Sequence, residues 1–462
     1  MFFGGESIVQ VWHDKDTGQI VELKSKTRDQ SRRVLSRIMV EPYGWPLKFF
    51  KDRMELLVCL RDAIKAHRSL YRRGVLHRDI STGNILICPF AGDARKAAGL
   101  LFDLDCGKRA ERDGTSETAV VEVSSDDMED VEMMIIKRHH AAGIERAALE
   151  RLLSFFPEDS DRGLSYLRAF LRDRTRKLLQ SPLTYADIGL LPEDEAAKLP
   201  KFITHKFEET RLIGTGPFIS SELAVQLSNL GTGHLVHDSI HDMESTMWVL
   251  VFLCCTRDGP GGRLRKELGE EFRTSHQLLQ AVVYYFFEAS VKVMGSRKQI
   301  LLCCNDKTKM EELLLANFHD YFTPLKPLVR KWFEILSIGY RYRIYETIHD
   351  QFLEAIEEAI DEEEKRGIEE NAEIRKATDA ELERRRIELE KLSISPQCSG
   401  YTESREGSSP STLLQSDQSP SRPLSKIDRA LFPTSQPAQE DLFKDASQSE
   451  HSEPEPKKAM AG

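Results

Sequence analysis

Two side chains five positions apart, Asp79 and Asn84, have the chemistry to manage transfer of a phosphoryl group. That reaction needs a carboxylate to accept the attacking hydroxyl's proton, and an amide oxygen close by to help hold a magnesium ion. Both lie in His77-Arg78-Asp79-Ile80-Ser81-Thr82-Gly83-Asn84, between apolar Val75-Leu76 and Ile85-Leu86-Ile87. A polar loop pinned between two short strands can present both groups to one phosphate.

The stretch has the H-R-D-x-x-x-x-N form of a protein-kinase catalytic loop. Downstream, Leu101-Phe102-Asp103-Leu104-Asp105 stands where such enzymes carry D-F-G, with Leu104 in the Phe place and Asp105 in the Gly place. Asp79 is then the expected base, and Asn84 with Asp103 the expected magnesium ligands on ATP. Arg78 beside Asp79 suits control by a phosphate on the activation segment, which a guanidinium grips bidentately. Thr210, Thr215, Ser124 and Ser125 are the available acceptors. Ser81 occupies the usual place of a lysine near the γ-phosphate, and could contribute a hydrogen bond there but no charge.

Together these features resemble the fungal-type protein kinase domain. Ala63 to Ser81, AIKAHRSLYRRGVLHRDIS, and the D-F-D-like variant around Asp103 are similar to that family. So are Gly214-Thr215-Gly216-Pro217-Phe218, running on to Glu222-Leu223, and His241-Asp242-Met243-Glu244-Ser245. The resemblance spans about 33–110 and 207–350. It implies that Asp242 ties the backbone of the catalytic loop and that Glu222 anchors the end of the activation segment. His77 is grouped with them as structural. The implied fold is α+β and kinase-like, with a mainly helical large lobe, a reduced β-rich small lobe, a helical insertion in the activation segment and a disordered tail.

The elements that must position these residues are legible in part. Ile8–Trp12 and Gln19–Leu23 read as strands. Arg53 to Tyr71 reads as an amphipathic helix, with Leu57, Leu60, Ile64 and Leu70 on one face, stopped by Arg73-Gly74. PFAGDARKA reads as a turn before the strand AGLL. Segment 111–206 differs in character and carries two expected helices, Ile144–Phe156 and Ser165–Gln180. Met247 to Cys255 reads as a buried helix, being only about half a membrane span. Glu358 to Leu392 reads as a solvated helix or weak coiled coil, and 393–462, rich in Ser, Pro, Gln and Glu, as disordered. The expected division is 1–50, 51–110, 111–206, 207–357, 358–392 and 393–462.

Composition narrows the function classes. With 65 Lys+Arg against 75 Asp+Glu the net charge is −10, so no overall positive field favours nucleic acid or an anionic membrane. Eight cysteines without CxxC spacing suggest neither zinc nor a disulfide framework, and a reducing cytosol or nucleus is expected.

The pattern has departures. No Gly-rich phosphate loop or strand lysine paired with a helix glutamate is found. Gly4-Gly5 and Lys24 imitate them, but Lys24 lies too close to Tyr43 for the intervening elements. Residues 7–42 therefore read as the last strands of a truncated small lobe. An active kinase is one reading, with serine/threonine acceptors favoured over tyrosine. A pseudokinase or remnant serving as an interaction module is a second, and a small-molecule kinase of the aminoglycoside type a third. The protein substrate is open, and the 111–206 insertion is the candidate site for a protein partner.

Overall fold

The computed structural model describes residues 43–90, 93–110, 143–157, 159–172, 181–202, 214–228, 236–269, 277–303, 307–367 and 371–394. It also gives the backbones of two strands nearer the start. The chain divides into Met1–Pro396 and Gln397–Gly462, and every described residue lies in the first unit. The tail read as disordered, Lys24, Gly4-Gly5, Thr210, Ser124 and Ser125 all lie outside the described residues. What is described is mainly helical with a small β component.

Strands β1 (Val11–His13) and β2 (Ile20–Glu22) pair antiparallel, Val11 opposite Glu22. A three-stranded antiparallel sheet follows in the order β3 (Trp45–Pro46), β5 (Ile85–Phe90), β6 (Asp93–Leu101). Between them in the chain, β4 (Val75–Leu76) pairs with β7 (Lys108–Arg109). The supposed turn PFAGDARKA is instead mostly strand. Cys88 pairs with Ala98 and Pro89 with Ala97, so ladder hydrogen bonds override the turn-forming composition.

Helix α1 (Arg53–Arg72) starts on Asp52, whose carboxylate accepts the Glu55 N–H, while Glu55 accepts the Lys51 N–H. Such a cap contributes about 1 kcal/mol. The helix stops where Gly74 takes a φ of 77°, as helix ends favour. It lies against β6 at Gly99, where a Cβ would meet the Cys59 carbonyl oxygen at 2.3 Å, so only glycine permits that approach.

Helix α2 (Arg146–Ser154) and α3 (Ser160–Phe170) lie in the insertion and bury Leu149, Leu152, Leu153, Leu167 and Phe170 together with Tyr342 and Ile344. Arg151 adds an ion pair to Glu346 at 2.6 Å. The insertion thus both builds a small core and docks on the helical block. The second helix begins earlier than its expected Ser165, because Asp159 caps it by accepting the Arg162 N–H.

The block itself comprises α4 (Ser221–Ser228), α5 (Ser239–Thr256), α6 (Gln277–Val283), α7 (Val291–Cys303) and α8 (Lys326–Tyr342). Every residue of α5 except Phe252 is buried: its apolar run Met247–Val251 enters the core, and its polar first turns are hydrogen-bonded, as at Asp242 and Glu244. Its Trp248 packs with Phe286, Phe287, Trp332 and Phe333 in one core that also holds Leu57, Leu60 and Ile64 of α1.

The charged stretch 358–392 departs from its reading as a solvated helix. It is divided between α9 (Ile348–Arg366) and α10 (Ala372–Ile394). Arg385 on α10 is wholly buried, ion-paired to Glu55 at 2.7 Å and to Glu381 at 2.8 Å, over the Trp45 ring. Glu363 on α9 pairs with Arg53 at 2.7 Å. Charge-rich periodicity suggested solvent, but the opposite charges that meet these side chains lie far away in sequence on α1.

Candidate active site

The loop 77–84 runs from β4 to β5, and the turn holding Asp103 leaves the far end of β6. Because β5 and β6 pair, both loops emerge at one end of the sheet. They are stitched together. His77, wholly buried, accepts the Asp79 N–H at Nδ1 (3.3 Å), which leaves its Nε2–H to donate to the Phe102 carbonyl at 2.8 Å. Phe102 N–H donates to the Asn84 carbonyl, also at 2.8 Å. Burial lowers the His77 pKa, so the neutral tautomer that makes both bonds prevails near neutral pH.

Asn84 turns its Nδ2 onto Asp79, donating to the backbone oxygen at 2.8 Å and to Oδ2 at 3.1 Å. The other carboxylate oxygen of Asp79 accepts the Thr215 N–H at 2.6 Å and the Thr215 hydroxyl at 2.7 Å. Asp103 accepts the Asp105 N–H at 3.3 Å. Cys106 follows Asp103 in the same turn: burial raises its thiol pKa, and the charges of Asp79 and Asp103 raise it further. The loop that carries Asp79 and Asn84 is thus joined to the turn that carries Asp103 and Cys106 through His77 and Phe102.

Arg78 (φ 69°) and Asp103 (φ 66°) both adopt left-handed backbone, unusual outside glycine and costing about 1–2 kcal/mol each. Such strain survives where the surroundings over-determine it. At Arg78 the restraint is Asp242, whose carboxylate accepts the backbone N–H of His77 at 3.1 Å and of Arg78 at 3.2 Å. His67 donates to Asp242 at 2.7 Å and His237 at 3.0 Å. Behind them, His67 accepts from His349 at 2.8 Å. Burial alone would raise the Asp242 carboxyl, but His237 and His67 outweigh it and hold it well below the ordinary range. Burial pushes His237 down to about 4, and the neutral ring still donates. The carboxylate beneath the loop is thus ionised and saturated with donors.

Glu222 opens α4 and pairs with Arg343, whose Nη1 lies 3.0 Å away, and with His241 at 3.2 Å. Burial opposes ionisation there, yet these partners bring its pKa to about 2. Ser81 is engaged within the loop itself. It is 5% exposed, and its hydroxyl oxygen accepts the Gly83 and Asn84 N–H groups at 3.3 Å. It shapes the turn that carries Asn84, because a buried hydroxyl is drawn to nearby unpaired N–H groups.

Two groups escaped the sequence. Thr215 stood out only as a phosphate acceptor, although its place in the Gly-Thr-x-Pro-Phe stretch was a usable signal. The histidines around Asp242 gave none, since His67 and Asp242 are 175 positions apart. Among the described residues, no cluster of three or more His, Cys, Asp or Glu side chains is arranged to hold a metal ion, so a site here would rest on Asn84 as well as Asp103.

Residues 7–142 match the model of the family described as fungal protein kinase. That stretch contains Asp79, Asn84 and Asp103, so this part of the chain is similar to the fungal protein kinases. The match starts upstream of the resemblance drawn from motifs and stops before the helical block. No curated protein and no solved structure matches the chain. Among the described residues, no helix is long and apolar enough to cross a membrane.

Proposed function

We propose that the chain is a protein kinase, moving the γ-phosphoryl group of ATP to a protein hydroxyl, with serine or threonine favoured as acceptor. Its fold is read as kinase-like: residues 51–110 and 207–357 form the large lobe, and residues before 51 form part of the small one. The observation that carries this is the joining of two carboxylate-bearing loops by His77 and Phe102, with Asn84 hydrogen-bonded to Asp79 between them.

The residues suit magnesium. Asn84 gives its N–H to Asp79 and so retains its amide oxygen as a donor, and Asp103 adds a carboxylate; hard oxygen ligands are what this ion takes. When bound, the ion would neutralise charge on the phosphates. Asp79 would accept the substrate hydroxyl's proton on Oδ2, since Oδ1 is filled by Thr215. Asp242 and His77 would hold the loop, and Arg78 would answer a phosphate on the activation segment. The 111–206 insertion is where a protein partner would dock.

Transfer of labelled γ-phosphate to a general protein acceptor tests the reading. Asp79→Asn should lower kcat by about 10²–10⁴, the usual contribution of a positioned base, while leaving ATP affinity intact. An active wild type whose rate is unmoved by Asp79→Asn contradicts it. A folded wild type that binds ATP but transfers nothing favours the interaction-module reading instead.

A further inference from the structure

We propose that Lys298 is a positioning residue: from α7 it holds the loop Gly214–Ser220 in the shape that keeps Thr215 on Asp79. The kinetic part of this rests on the phosphoryl-transfer reading; the structural part does not.

Lys298 is 0% exposed. Its Nζ donates to the carbonyl of Pro217 at 2.7 Å and of Ile219 at 3.2 Å, and lies 4.8 Å over the Trp248 ring. Burial of an amine is unfavourable, and here it lowers the pKa to about 7, with Glu244 opposing the shift. Neutral or charged, the amine keeps two N–H donors for its two acceptors, so both bonds persist across that titration.

The loop is fastened at three places. Gly214, at φ 109°, lies so near the Arg78 carbonyl that a Cβ would stand 3.0 Å from its oxygen, and Thr215 grips Asp79. At the far end Ser221 N–H donates to Glu244 at 2.8 Å. Between these lies one short turn, Gly216–Phe218, with no strand ladder to hold it. Lys298 supplies the central fastening. Releasing two carbonyls there frees the segment that aims Thr215, although Lys298 touches no reacting group.

Lys298→Met and Lys298→Gln in the full chain, with Thr215→Ala and the Lys298→Met/Thr215→Ala double variant, test this. Amide exchange at Thr215 should rise about tenfold in the Met variant, as for loss of a hydrogen bond, and less in the Gln variant, which retains N–H donors. In kinetics, each of Lys298→Met and Thr215→Ala should lower kcat about tenfold, and the double variant also about tenfold, because both act through one contact. A hundredfold loss in the double variant, or unaltered exchange at Thr215, overturns the proposal. So does failure of both Lys298 variants to fold, which would assign Lys298 to the core alone. Should the chain transfer no phosphate, the exchange measurement still decides the case, so the two readings fail separately.

Discussion

Thr215 gives both its backbone N–H and its hydroxyl to a single oxygen of Asp79, at 2.6 and 2.7 Å. Hydrogen bonds to a charged acceptor are worth about 1.5–3 kcal/mol, enough to set the carboxylate's rotation and leave Oδ2 as the freer oxygen. Thr215→Ala should therefore lower kcat about tenfold or more with ATP affinity unchanged, and Thr215→Ser should restore most of the loss. Steady-state kinetics on the three proteins checks this. Equal activity in the Ala variant would remove Thr215 from the site. A phosphate on Thr215 itself would set a dianion against Asp79, so this threonine is a poor activating acceptor.

The buried Arg385–Glu55 pair makes α10 part of the folded unit. Removing one member strands the other's charge, which costs about 3–5 kcal/mol. Arg385→Met should thus destabilise by about 3 kcal/mol in denaturant unfolding, and adding Glu55→Gln should recover part of that loss. A negligible effect would mean that α10 is not docked on the start of α1.

Glu222 supplies a pH dependence of known sign. Its pKa in the fold, about 2, lies below the ordinary 4.5, so the unfolded chain binds the proton more readily. The stabilisation is complete above about pH 4.5 and fades as pH falls towards 2. Thermal melts through this window should fall more steeply for the wild type than for Glu222→Gln. Parallel slopes would show that Arg343 and His241 do not hold the carboxylate.

How much of this was readable depends on where the partner of each residue lies. Helix α1 announced itself through its apolar spacing and its Arg73-Gly74 stop, and α5 through an unbroken apolar run. The Asp79–Asn84 spacing was visible because one loop carries both. Residues fastened from afar were not. Arg385 looked like surface charge until Glu55, 330 positions earlier, met it. The burial of Ser81 and its hydrogen bonds to the Gly83 and Asn84 N–H groups were equally hidden, because position in a motif says nothing of burial. Lys298 carried no signal at all, since a lysine in a helix reads as solvated. Gly99 went unread as well, although a glycine within a strand can mark close approach of another backbone.

Titration of ATP into the wild type, Asn84→Ala and Asp103→Asn, each with and without magnesium, bears most directly on whether the two loops form one phosphate site. Wild-type binding should depend on magnesium, and that dependence should be weakened by Asn84→Ala and abolished by Asp103→Asn. Binding that ignores both the ion and the two substitutions would contradict it.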